Sequence, residues 1–355
     1  MADRTFRIAS LPGDGIGPEV VREGLRVLHA AGRMHGAGFE VREHAAGAAE
    51  YVRSGDPFPE RVFEDAAASD AILLGAMGLP EVRVPGGTEI APQLDLRDRL
   101  ELYAGVRPLY LYNAQHTPLK GRGAGSIDFV IVRENTEGLF STRKQKVAAG
   151  APQVGDILLV TRAASERLFR AAFELARRRR KHVTLVDKAN VLPSMAFFRR
   201  VFDETAEQYA DVETRRLYVD AASLLLVRRP EDFDVVVTEN MFGDILSDLG
   251  AALVGGMGVA PSGDIGEKHA VFQPSHGSAP DIAGRGIANP AATILSVAMM
   301  LEWLPDERCR AAAESVRGAV RRALANDSAA TPDLGGKATT EEMGAAVLRE
   351  LEAMR

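Results

Sequence analysis

The chain has 355 residues, 46% of them hydrophobic and 26% charged, a globular balance that excludes a disordered or low-complexity protein. Its net charge of -6 argues against a general nucleic-acid binder, which carries a basic excess. The lone cysteine, Cys309, excludes an internal disulfide and a multi-cysteine zinc site and is compatible with a reducing cytoplasm.

Length predicts two domains. The start, Met1 to Arg7, is polar and lacks the apolar stretch of a targeting segment. The longest apolar runs, around 291–301 and 251–254, are too short or broken to span a bilayer. The expectation is a cytoplasmic protein with no membrane partner and no nucleic-acid partner.

In chain order, short apolar runs at 6–11, 71–75, 128–132, 156–161, 183–186, 215–219 and 234–238 read as strands. Amphipathic segments at 18–31, 164–180, 194–210 and 311–325 read as helices between and after them. This alternation predicts an α/β protein with a largely parallel sheet. Everything after Ala288 reads as helical. Two further segments, 220–229 and 241–254, are apolar on nearly every side. Such helices need burial all round, in a deep core or at a subunit interface. The basic run 177–181 falls where a helix ends, the position that carbonyl dipoles favour for cations.

Four clusters could carry chemistry. Gly13-Asp14-Gly15-Ile16-Gly17-Pro18-Glu19 follows a strand with G-x-G-x-G spacing, which differs from a Rossmann turn. It is either a tight strand-to-helix turn or a backbone that a ligand approaches closely. Asp244 and Asp248 stand four apart on one helix face, with Asp220 upstream. Adjacent like charges repel, and hard oxygens suit Mg²⁺ or Mn²⁺. Arg97, Arg107 and Arg133 lie at element edges and offer planar forks for carboxylates, and Lys188 follows a strand. Finally, His276-Gly277-Ser278-Ala279-Pro280-Asp281-Ile282-Ala283-Gly284 and Asn289-Pro290 form a long loop of small and rigid residues, a ligand-holding composition. There is no phosphate-loop lysine motif, no H-E-x-x-H and no G-x-S-x-G elbow, and the seven histidines are not at metal-ligand spacing.

These clusters, in this order, resemble the isocitrate/isopropylmalate dehydrogenase family, which includes tartrate/D-malate and homoisocitrate dehydrogenases. The resemblance runs from Leu11 to about Gly336. It implies a two-domain isopropylmalate dehydrogenase-like α/β fold, not a Rossmann fold, with a discontinuous first domain. Residues 1–102 and 255–355 would form that domain on the cofactor side, and 103–254 the second. It implies a homodimer built on the second domain, each site completed by Lys188 of the partner subunit and the partner's Asp220. The implied reaction is NAD-dependent oxidation of a (2R)-hydroxy acid followed by loss of CO₂. Asp220, Asp244 and Asp248 would hold Mg²⁺ or Mn²⁺, Lys188 and Asp220 would be catalytic, and Arg97, Arg107 and Arg133 would clamp the leaving carboxylate. For NAD the resemblance implies Ile16, Asn190, His276, Gly277, Ser278, Ala279, Asp281, Ile282 and Asn289. His276 and Asn289 flank the adenine, Asn190 lies near the nicotinamide, and Asp281 is on the ribose. An acidic ribose partner repels a 2′-phosphate, so the choice is NAD over NADP.

Two departures stand out. The run Arg133-Glu134-Asn135-Thr136-Glu137-Gly138-Leu139-Phe140 resembles the isocitrate, homoisocitrate and tartrate/D-malate members more than the isopropylmalate members. It places Phe140 where the family has a proton-donating tyrosine. Either water or another side chain protonates the enol, or protonation does not limit the product, or the chain is a cofactor-binding relative with weak or regulatory activity. Ahead of Arg97, where the family reads the substituent, the chain carries Ile90, Gln93 and Leu94 after an unusual 84–88 loop. The amide of Gln93 fits a polar substituent, unless it faces solvent. D-malate, tartrate-like and isocitrate-like acids are therefore expected ahead of 3-isopropylmalate.

Overall fold

The computed structural model describes residues 4–84, 88–148 and 150–354. The polar start up to Asp3 and residues 85–87 of the loop before Gln93 lie outside the described residues. The chain divides into two compact units, one of residues 1–100, 255–263 and 267–355 and the other of residues 101–254 and 264–266.

The first unit opens with β1 (Thr5–Gly13), α1 (Gly17–His35), β2 (Gly38–Glu43), α2 (Ala48–Ser54), α3 (Glu60–Ala67), β3 (Ala71–Ala76) and α4 (Pro92–Arg99). Pro18 opens α1, where a missing N–H costs nothing, and Gly36 closes it in the left-handed conformation. β3 is buried at every residue, as expected of a parallel strand covered on both faces. It lies parallel to β1, with Ile8 opposite Ala71, so the carboxyl ends of both strands emerge together beside the glycine turn.

The second unit contains β4 (Ala104–Tyr110), β5 (Asp128–Glu134), α5 (Arg162–Arg177), β6 (His182–Asp187), α6 (Pro193–Ala206), β7 (Glu213–Tyr218), α7 (Val219–Arg228), β8 (Val235–Thr238) and α8 (Asn240–Val254). Its strands run in the order β4-β5-β8-β6-β7. The β4–β5 pair is antiparallel, whereas β5–β8, β8–β6 and β6–β7 are parallel. The core is aromatic: Phe169 and Phe198 approach to 4.6 Å between centroids, and Phe173 stacks on Phe202 at 5.4 Å. Those rings sit on α5 and α6, over Val183, Leu185, Val235 and Val237.

The chain then returns to the first unit through β9 (Pro261–Ile265), β10 (Ala270–Pro274), α9 (Ala291–Trp303), α10 (Glu307–Leu324) and α11 (Thr340–Glu352). The first unit's strands run in the order β2-β1-β3-β10, and β10 neighbours β9, of which residues 261–263 belong to this unit. After Ala288 every regular element is helical. No helix among the described residues is long and apolar enough to cross a membrane.

One expectation needs correction. Residues 156–161 form no strand; Leu159 makes only an isolated bridge to Gly138. The alternating Ile157 and Leu159 are 65% and 43% exposed, so the apolar pattern is present but no neighbouring strand extends the pairing. Of the two readings open for α7 and α8, a deep core within one chain does not hold, because Leu224, Val227 and Ile245 stand open to solvent. The basic run does sit at the end of α5, and it is neutralised there. Arg177 pairs with Asp211 at 2.8 Å, and Arg179 with Asp128 at 2.7 Å and Asp234 at 2.8 Å.

Candidate active site

The start of α8 organises the second unit's polar centre. The buried carboxylate of Glu239 accepts N–H bonds from Met241 (3.1 Å) and Phe242 (2.6 Å), satisfying donors that the first helical turn leaves open. Burial pushes the Glu239 carboxyl up, while the N–H bonds and Arg133 oppose that shift. One turn on, Asp244 and Asp248 project from one face, their side chains 45% and 54% exposed.

Arg107 of β4 and Arg133 of β5 face them. Arg107 donates to Ser247 Oγ at 2.5 Å and lies 3.5 Å from Asp244 and 3.7 Å from Asp248. Arg133 donates to Asp244 and to Asn240 Oδ1. Its slot exists because two neighbours lack side chains. A Cβ on Gly243 would stand 2.3 Å from Arg133 Cβ, and one on Gly105 2.8 Å from its Cγ. Burial raises the Asp248 carboxyl, and Arg107 pulls it back toward the ordinary range. The pair therefore presents hard oxygens beside two guanidiniums, a donor set that fits a Mg²⁺-like cation with a carboxylate alongside. It is incomplete as it stands. Among the described residues, no three His, Cys, Asp or Glu side chains gather as a metal site.

Asp220 lies elsewhere in the second unit, paired with Lys188 at 2.9 Å. The hydrogen bond from Lys188, followed by backbone N–H bonding, holds the Asp220 carboxyl below its usual range. Lys188 sits in the turn after β6. Buried Asp187 fixes that turn by accepting Ala189 N–H at 2.9 Å and two bonds from Arg199 at 2.7 and 2.8 Å. Asn190 is exposed in the same turn.

Phe140 follows Gly138 in a short 3-10 turn (Leu139–Thr142). Its ring centre is 5.8 Å from the Arg133 guanidinium carbon, and it brings no proton donor. Sequence reading missed the polar frame around it. Glu134 is buried and accepts N–H bonds from Thr136 (2.8 Å) and Glu137 (2.5 Å). Desolvation raises its carboxyl despite these bonds. Asn240 donates to the Glu137 carbonyl at 2.8 Å. The signal was available in the acidic and amide residues that interrupt two apolar strand ends.

In the first unit the two glycine-rich segments meet. Ile16 N–H donates to the Ser278 carbonyl at 2.8 Å, and a Cβ on Gly15 would lie 1.9 Å from that oxygen. Ile16, Val20 and Ala288 form a small core with Ala279, Ile282 and Ala283 against it. His276 Nδ1 lies 2.9 Å from the Gly277 carbonyl. Its Nε2 is buried with no hydrogen-bond partner among the described residues, and burial lowers the pKa of the ring. A neutral imidazole with one open nitrogen fits a heteroaromatic edge such as adenine. Asn289 donates to Asp333 at 3.1 Å, while Asp281 is exposed. The groups present suit an adenosine: one ring nitrogen unpartnered among the described residues and one exposed carboxylate.

Arg97 and Gln93 both lie on α4, and Arg97 is buried. Gln93 is half-buried, with its amide turned inward. Its amide donates to the Met77 carbonyl at 3.4 Å, and its Oε1 is buried without a partner among the described residues.

A family model described as isocitrate/isopropylmalate dehydrogenase matches residues 7–347. The chain belongs to the isocitrate/isopropylmalate dehydrogenase family. It is 41% identical to a 3-isopropylmalate dehydrogenase of Aquifex aeolicus, over 99% of both chains. It is 45% identical to an isocitrate/homoisocitrate dehydrogenase of Thermus thermophilus, over 98% of this chain and 99% of that protein. Among solved structures it resembles an isocitrate dehydrogenase from Methylococcus capsulatus, with a TM-score of 0.87 and 37% identity over 98% of this chain and 99% of the other. The protein is thus a decarboxylating dehydrogenase of this family, whose members use NAD and a divalent metal. Relatives named for 3-isopropylmalate, the acid ranked lower from Gln93, stand beside one named for isocitrate and homoisocitrate.

Proposed function

We propose that this member carries out NAD-dependent oxidative decarboxylation of a (2R)-hydroxy acid of the malate type. The observation that carries the reading is the pairing of Arg107 and Arg133 with Asp244 and Asp248. A cation-binding carboxylate pair beside a carboxylate-binding guanidinium pair suits an acid held by its hydroxyl and its departing carboxylate. When bound, Mg²⁺ or Mn²⁺ supplies Lewis acidity and NAD supplies the hydride acceptor.

Asp244 and Asp248 would hold the cation together with the partner's Asp220. Arg107 and Arg133 orient the leaving carboxylate, joined by Arg97. Lys188 of the partner subunit takes the hydroxyl proton. The open faces of α7 and α8, with Leu224, Val227 and Ile245, support a homodimer joined through these helices. His276, Asn289, Asp281 and the Ile16–Ser278 contact support the adenosine end, with Gly277, Ala279 and Ile282 lining it and Asn190 toward the nicotinamide. The carboxylate of Asp281 favours NAD over NADP. Gln93, with its buried open oxygen, supports a polar substituent on the acid. D-malate, tartrate-like and isocitrate-like acids therefore stand ahead of 3-isopropylmalate. An NAD-linked oxidation supports a cytoplasmic location.

One observation favours a second reading, a cofactor-binding relative with weak or regulatory activity: the Phe140 ring, where the family resemblance implies a proton donor, lies beside Arg133. NADH appearance with Mn²⁺ across D-malate, tartrates, isocitrate, homoisocitrate and 3-isopropylmalate separates the two. The proposal predicts clear turnover of a polar-substituted acid, abolished by EDTA. NADH binding without turnover of any of the acids would favour the second reading.

A further inference from the structure

Asp14 lies inside the Gly13–Gly17 turn at 2% exposure, out of reach of any ligand. Its Oδ2 accepts N–H bonds from Ala48 at 2.7 Å and Gly78 at 2.8 Å, and its Oδ1 accepts one from Ala49 at 2.8 Å. Gly47 is bare to make room, since a Cβ there would stand 2.4 Å from Asp14 Oδ2. Gly78 is bonded on both sides. Its N–H reaches Asp14, and its carbonyl accepts the Ser278 hydroxyl at 2.5 Å. Ser278 closes the circuit, because its own carbonyl accepts Ile16 N–H at 2.8 Å.

We propose that Asp14 is a positioning residue for the cofactor. Through Gly78 it holds Ser278, and with it the loop at 276–284, in the shape that receives the adenosine. The inference rests on the reading of that loop as the NAD site. The loop forms no helix or strand of its own, so its order depends on ties to its neighbours. A binding site that is ordered only part of the time binds more weakly by that fraction. Three N–H donors converge on the Asp14 carboxylate. An asparagine there offers one accepting oxygen and an amide that cannot accept, which leaves a buried donor unpaired.

The test compares the full-length protein with Asp14→Asn, by NADH fluorescence titration and by amide hydrogen exchange without ligand. The expected result is NADH affinity weaker by about 10- to 100-fold, with faster exchange at 276–284 and unchanged exchange in β6 and α5. A merely structural role would lower the melting temperature and leave the affinity of the folded fraction unchanged. That result, with NADH affinity within about twofold of wild type and a protected loop, overturns the proposal. Where Asp14→Asn fails to fold, Ser278→Ala removes only the bond to Gly78. Faster exchange at 276–284 then supports the clamp, and unchanged exchange overturns it. A wild-type chain that binds no NADH sinks the cofactor reading itself, and loop exchange then decides whether Asp14 clamps the segment.

Discussion

Arg133 shows how much of the site rests on small neighbours. Its guanidinium reaches Asp244 and Asn240 only because Gly105 and Gly243 carry no Cβ. Gly243→Ala should therefore push α8 off β5, costing about 1–3 kcal/mol of stability through overpacking. Denaturant melts would show the loss, and kcat/KM should fall with it. Phe140 carries a sharper expectation. General acid catalysis is worth about 10² to 10⁴ in rate, so Phe140→Tyr should raise kcat by about tenfold or more if enol protonation limits the wild type. An unchanged kcat would show that water or another side chain already supplies that proton. The residues proposed for the chemistry were named in the sequence through the family resemblance, because Asp, Arg, Lys and His at such spacings each have ordinary structural uses as well. The frame around them was not. Asp14, Glu239 and Asn240 act through buried backbone donors and neighbouring side chains, contacts that only the folded chain brings together.

Strands that run fully buried, such as β3 and β8, announced themselves as apolar runs. β2 did not: it is a half-exposed edge strand with alternating charge. Neither did β9, which carries Ser262, Gly263 and Asp264 in a buried setting. Residues 156–161 misled in the opposite direction, having a strand's alternation and no partner to pair with. The same surplus of apolar surface marks α7 and α8. Leu224 is 57% exposed and Ile245 61%, too much on adjacent helices for scattered surface residues. Ile245→Glu alters no buried contact within the protomer, so the chain should still fold. Sedimentation should show dimers for the wild type and single protomers for the variant. A dimer that survives the substitution would move the interface elsewhere.

At the scale of the whole molecule, the groups proposed for the chemistry fall in separate places. Asp244 and Asp248 sit with Arg107 and Arg133, whereas Lys188 and Asp220 pair with each other, and no three acidic or imidazole groups meet among the described residues. A two-fold symmetric dimer repeats every patch, so one protomer's Lys188 and Asp220 can complete its partner's site. Mixing two inactive variants tests this most directly. Lys188→Ala and Asp248→Ala, each inactive alone with NAD and Mn²⁺, are unfolded together and refolded. Random reassortment makes about half the dimers hybrid, each with one intact site, so about a quarter of the wild-type rate should return. Activity that stays at zero in verified hybrid dimers would contradict a site shared between subunits.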